Sequence, residues 1–125
     1  MLRFAVDPAS SIPVYQQVKH SILVDIMAGR LKDGDRLPSI RELAKILKLN
    51  PNTVAKAYYN LEEEGIIQGK VGSGYQVKCL KSKLDNLKNG MLEDHFKSFL
   101  ERAFMMGFTK KDIEDLIRRM LNYEE

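Results

Sequence analysis

Hydrophobic residues recur at helical spacing in three successive stretches before the pattern changes. Val14, Val18, Ile22 and Ile26 stand four residues apart, with Tyr15, Leu23 and Met27 widening the stripe, and predict a helix over 13–28. Pro13 suits its first turn and Gly29 its C-terminal cap. The segment ahead of it, 1–12, reads as extended, with Asp7-Pro8 favouring a turn. Residues 31–38 read as a loop punctuated by Gly34 and Pro38. Ser39 and Glu42 then supply the two halves of a capping box, and Ile40, Leu43, Ala44 and Leu47 give the helix behind it an inward face. Asn50 is a good N-cap, and Pro51 fits the first position of a third helix. Val54, Ala57, Tyr58 and Leu61 form its stripe, and Gly65 stops it.

Beyond Gly65 the helical spacing gives way to a hairpin. Ile66 and Ile67 start a strand, residues 70–74 turn, and Tyr75-Gln76-Val77 returns; Gly72 and Gly74 supply the backbone freedom such a turn needs. After Val77 come Lys78, Lys81 and Lys83, then Leu84, Leu87, Met91, Leu92, Phe96, Phe99, Leu100, Ala103 and Phe104, a broad apolar helical face. Asn89-Gly90 is compatible with a break there or with one longer helix. Gly107 ends the segment. Thr109 and Asp112 then cap a last helix, Phe108 and Ile113 staple it, and Ile113, Leu116, Ile117, Met120 and Leu121 follow helical spacing.

This order predicts a mainly α fold with a small β-wing. Residues 1–78 form a winged helix-turn-helix DNA-binding domain, and residues 79–125 a C-terminal two-helix dimerisation hairpin. Two helices cannot bury so wide an apolar face alone. The expected cover is a second copy meeting Leu92, Phe96, Phe99, Leu100, Phe104, Leu116, Ile117 and Met120 across a two-fold axis.

Composition narrows this picture little. The chain has 125 residues, 44% of them hydrophobic, enough for one domain plus an appendage. A net charge of +3 permits nucleic-acid binding without demanding it. One cysteine, Cys79, excludes an internal disulfide and fits a reducing compartment. No run reaches the roughly 18–20 apolar residues of a membrane span, and 1–11 lacks a signal-peptide core, so a soluble cytoplasmic protein with no membrane partner is expected.

The candidate chemistry is that of a DNA reader. Asn50, Asn52 and Thr53 cluster at the start of the third helix, where recognition residues meet base edges; Asn50 alone is read first as a cap. Lys56 lies one turn on, within reach of phosphate, although a solvated lysine is the commoner reading. Arg41 sits near the start of the preceding helix, where a cation works against the helix dipole, which favours a DNA role over an ion pair with Asp33 or Asp35. Lys70 and Gly72 bring a cation and a close-approach backbone to the wing. The acidic run 62–64 is expected to face solvent, away from DNA. The recognition helix is thus placed at 51–64 and the wing at 70–75. His20 and His95 lack metal-ligand spacing, Cys79 has no nearby histidine, and no phosphate-cradling loop exists. Neither an enzyme nor a cofactor is expected. The alternative is a winged-helix module that binds another protein, which would show apolar residues where Asn52 and Thr53 stand.

Residues 13–77 resemble the DNA-binding domain of the GntR family of bacterial transcription regulators. The likeness is carried by Pro13-Val14-Tyr15-Gln16-Gln17, Gly34-Asp35-Arg36-Leu37-Pro38-Ser39, Arg41-Glu42-Leu43-Ala44, Asn50-Pro51-Asn52-Thr53-Val54, Glu64-Gly65 and 72–77. The short two-helix tail is similar to that of the YtrA-type subgroup. The resemblance implies a homodimeric repressor, frequently of operons encoding ABC-type transporters, with double-stranded operator DNA as partner. It implies DNA contacts from Arg41, Asn52, Thr53 and Gly72. Some relatives carry basic residues where this chain has Pro51 and Ala55, so those contacts are not expected here. The tail is expected to leave little space for a drug-sized cavity of about 300 Å³ within one subunit, so either a small-molecule effector sits at the dimer interface or control comes from protein abundance alone.

Overall fold

A computed structural model describes residues 6–122. The chain divides into two compact units, Met1–Leu84 and Asp85–Glu125.

In the first unit, α1 (Val14–Met27), α2 (Ile40–Leu47) and α3 (Pro51–Glu63) precede the strands β1 (Ile67–Lys70) and β2 (Gly74–Val77). Each helix begins and ends on a local signal. Pro13 stands just outside α1 as its N-cap, Ala28 closes it, and Gly29 follows with φ of +82°. The α2 capping box is complete: the Ser39 hydroxyl accepts from Glu42 N–H at 3.0 Å, and Ser39 N–H donates to Glu42 Oε1 at 3.1 Å. These bonds, the Ser39 backbone one foremost, hold the Glu42 carboxyl below its ordinary pKa. Lys48 ends α2 in the left-handed region at φ of +56°, the one described non-glycine residue with positive φ. Asn50 caps α3 by accepting from Asn52 N–H at 2.8 Å, and Pro51 takes the first helical position. Helix, three-residue turn and helix therefore follow from four or five residue types at fixed offsets.

α1 and α2 both pack on α3. Val18, Ile22, Leu43, Val54, Ala57, Tyr58, Leu61, Ile66 and Val77 are essentially inaccessible and make the core. Ile40 and Leu47, expected inside with Leu43 and Ala44, are half-buried, because α2 packs chiefly on α3. Asp25 is buried on α1 and pairs through Oδ1 with Arg30 Nε at 2.6 Å. Lys19 pairs with Glu64 at 2.9 Å, and Lys83 donates to the Glu64 carbonyl at the end of α3.

β1 and β2 are antiparallel, with Ile67 opposite Val77 and Lys70 opposite Gly74. The strand begins one residue later than expected, since Ile66 N–H still bonds back to Leu61 O as the chain leaves α3. Both strands also reach further into the expected turn, leaving 71–73 as the loop. Ahead of α1, residues 7–12 are turns rather than extended chain: Asp7 Oδ1 accepts from Ala9 N–H and Asp7 O from Ser10 N–H. The rest of that expectation, residues 1–5, lies outside the described residues.

α4 (Lys81–Met105) is one continuous helix through Asn89-Gly90. A glycine in a helix interior costs about 1 kcal/mol relative to alanine, which a helix of 25 residues with good formers on both sides absorbs. In the second unit, α4 turns at Gly107, whose φ is +91°, into α5 (Lys110–Asn122). Thr109 and Asp112 cap α5 reciprocally at 2.8 and 3.2 Å. Among the described residues of this unit only Ala103 and Ile113 are buried, both near the turn. No described helix is long and apolar enough to cross a membrane.

Candidate nucleic-acid interface

The turn between α2 and α3 sets the first elements of the site. Asn52 is exposed and Thr53 half-buried at the first turn of α3. Asn50 is spent structurally, its side-chain oxygen held by Asn52 N–H. Arg41 occupies the second position of α2, exposed, and among the described residues it forms no salt bridge. The two acids that could have claimed it are engaged elsewhere: Asp33 accepts from Cys79 N–H at 3.2 Å, and Asp35 from Lys32 N–H at 2.9 Å. Its guanidinium is left with all its donors for an external acceptor. Lys56 lies over the Tyr15 ring at 4.1 Å, a cation–π contact tying α3 to α1, so its role is at least partly structural.

The start of α2, the middle of α3 and the wing meet at Tyr58. Its hydroxyl donates to Pro38 O at 2.6 Å, and its ring meets Tyr75 of β2 edge-on, centroids 5.2 Å apart. Asn52 is about 9 Å further up the α3 axis at 1.5 Å per residue. Lys70 and Gly72 are exposed at the wing, and Gly72 has φ of +80° in the turn closed by Ser73 N–H to Lys70 O at 3.0 Å. A Cβ on Gly72 would meet nothing within 4 Å, so backbone conformation alone selects glycine there.

Two wing contacts were not visible in the sequence. Glu62, expected to face solvent, accepts from Gly69 N–H at 3.1 Å and holds β1 to α3. Arg36 donates to Ser73 O at 2.9 Å. Gly69 lies beyond the end of α3 and Ser73 is 37 residues from Arg36, so no periodic signal could have found either pair.

The C-terminal unit presents the expected apolar face uncovered. Phe96 and Phe99 stack with centroids 6.1 Å apart, yet are 43% and 42% exposed, and Phe104 is 50% exposed. Leu92, Phe96, Phe99, Leu116, Ile117 and Met120 line a hollow of about 680 Å³. Leu100 is half-buried. A second hollow of about 390 Å³, lined by Phe99, Ala103, Met106, Phe108, Ile113, Leu116 and Arg119, lies within this same unit. Phe99, Met106 and Phe108 in its lining are exposed, so it is an open surface hollow rather than a cavity enclosed within the subunit.

His20 and His95 are exposed and Cys79 is buried, where burial pushes its thiol up, away from nucleophilic character. Among the described residues no group of three His, Cys, Asp or Glu could hold a metal ion.

Comparisons with known proteins converge on one family. Residues 14–77 match the family model of bacterial regulatory proteins, gntR family. The HTH-type transcriptional repressor YtrA of Bacillus subtilis (strain 168) is 38% identical over 116 residues, which cover 92% of this chain and 89% of the relative. A solved GntR family transcriptional regulator from Listeria monocytogenes aligns with a TM-score of 0.79 at 33% identity, over 88% of this chain and 96% of the other. AraR(DBD) in complex with operator ORX1 aligns with a TM-score of 0.53 at 26% identity, over 60% of this chain and 99% of that one.

Proposed function

Since this chain belongs to the GntR family of bacterial regulatory proteins and is a DNA-binding transcription regulator rather than an enzyme, we propose that it is a homodimeric repressor of a transporter operon. In this reading α3 enters the major groove of each half of a palindromic operator, and the wing lies against the adjacent backbone. The observation that carries it is the unpaired Arg41 at the start of α2, in a helix-turn-helix whose second helix opens on exposed Asn52. Asn52 and Thr53 serve base edges and phosphate, and Arg41 pairs with phosphate or guanine. Lys70 and Gly72 serve the backbone.

Dimerisation draws its support from the uncovered aromatic face of the second unit. Repression draws its support from the likeness to YtrA, named a transcriptional repressor, and a transporter target from the resemblance of the short tail to that subgroup.

The test is selection of duplexes from a random library at near-physiological salt, with Arg41→Ala in parallel. A two-fold symmetric site should be enriched by the wild type. Its affinity for Arg41→Ala should fall roughly ten- to a hundred-fold per half-site, with the circular dichroism spectrum unchanged. Absence of any enriched sequence, or equal affinity of the variant, overturns the reading.

A further inference from the structure

The wing is held from outside its own hairpin. Residues 34–37, in the loop between α1 and α2, run antiparallel to β2. Gly34 N–H donates to Val77 O at 2.8 Å, Val77 N–H to Asp35 O at 2.8 Å and Leu37 N–H to Tyr75 O at 2.9 Å, with Arg36 bridged to Gln76. This backbone pairing ends at Tyr75, short of the tip. Among the described residues, the group of this loop that continues past that point is the Arg36 guanidinium, whose Nη2 reaches Ser73 O at 2.9 Å. Ser73 in turn closes the Lys70–Ser73 turn that carries Gly72.

A two-stranded hairpin alone is marginal in water, and its tip is the first part to lose order. Here β1 is tied to α3 through Glu62 and Gly69, whereas among the described residues the side-chain tie from the tip to the rest of the domain is Arg36. Arg36 is itself fixed to the chain that starts α2: it lies three residues before the Ser39 cap, and Tyr58 anchors the intervening Pro38. The guanidinium therefore sets where the wing tip stands relative to the helix bearing Arg41.

We propose that Arg36 is a positioning residue for DNA recognition, ordering the wing tip before binding so that Gly72 and Lys70 meet the DNA backbone in register with Arg41. This rests on the wing being a DNA contact, as argued above. Arg36 acts through the wing and makes no DNA contact of its own. Pre-ordering removes a conformational cost that would otherwise be met on binding.

Two measurements on the full chain test it. The first needs no DNA: backbone amide order of Val71, Gly72 and Ser73 by nitrogen-15 relaxation. Arg36→Ala should loosen these three while α2 and α3 keep wild-type values, and Arg36→Gln, which retains a donor without the charge, should restore part of the order. Unchanged order at the tip overturns the proposal. The second is a double-mutant cycle on the selected operator. Arg36→Ala should weaken binding roughly three- to ten-fold, the size of one modest hydrogen bond. On a Lys70→Ala background it should cost markedly less, because both changes act through the same wing. Strict additivity, or Arg36→Gln binding as poorly as Arg36→Ala despite an ordered tip, means that Arg36 meets phosphate directly and overturns the proposal. Should Arg36→Ala fail to fold, Arg36→Gln and Lys70→Ala carry both measurements. A chain that selects no DNA refutes the regulatory reading, while the tip-order result still decides whether the clasp exists.

Discussion

Replacing Tyr58 by phenylalanine isolates the one hydroxyl on which α2, α3 and the wing converge. Tyr58 is fully buried, donates to Pro38 O at 2.6 Å and packs edge-on against Tyr75. Burial pushes its phenol far above the ordinary range, with Glu42 and then Tyr75 adding to the push, so the hydroxyl stays a donor throughout working pH. Tyr58→Phe keeps the ring and its contact with Tyr75 and deletes only the donor. A neutral hydrogen bond contributes about 0.5–1.5 kcal/mol net, and an acceptor left bare costs about 1–3 kcal/mol. Pro38 is half-buried, so water partly replaces the lost donor, and the loss should be about 1–1.5 kcal/mol. For a unit of this size that lowers the thermal midpoint by roughly 5–10 °C. Urea unfolding followed by circular dichroism should show the midpoint falling by about 1 M with an unchanged slope. Tyr58→Ala, which also empties the ring's site, should lose about 3–5 kcal/mol. A Tyr58→Phe midpoint within about 0.2 M of wild type would show that the hydroxyl is not part of what holds the three elements together.

Ser39→Ala removes the α2 cap and should cost about 1 kcal/mol in urea unfolding at neutral pH. The Glu42 carboxyl is held below its ordinary range chiefly by the Ser39 backbone N–H, so its contribution is present above the unfolded pKa and lost as pH falls through the folded one. Ser39→Ala keeps that backbone N–H, so its gap from wild type should persist through acid titration. Glu42→Gln, which removes the carboxylate, should instead approach wild type as pH falls below the ordinary carboxylate range; a constant gap for Glu42→Gln would refute the linkage. Gly72→Ala should cost about 1 kcal/mol of stability through its positive φ alone, read as a lower melting temperature, since the space around it is open. Phe96→Glu places a charge on a side chain already 43% exposed, so sedimentation should find a monomer with unchanged helix content. A Phe96→Glu dimer would move the interface elsewhere.

The features legible in the sequence share one property: their causes lie within four residues of their effects. Ser39 with Glu42, Asn50 before Pro51, Thr109 with Asp112 and the α3 stripe each declare themselves in a single turn, and each stands in the structure as read. What was not legible is held over distance. Lys56 meets Tyr15, Arg36 meets Ser73 and Glu62 meets Gly69, pairs that no period relates. Asn89-Gly90 was ambiguous for the complementary reason: its local preference opposes the helix, and only the length of α4 on either side decides the outcome. The same division runs through the candidate site. Arg41 could be singled out because its charge conflicts with its own helix. Arg36 could not, because nothing about a loop arginine announces a carbonyl 37 residues away. The residue proposed to touch DNA is thus visible as a local inconsistency, whereas the residue proposed to position the wing emerges only when the chain is folded.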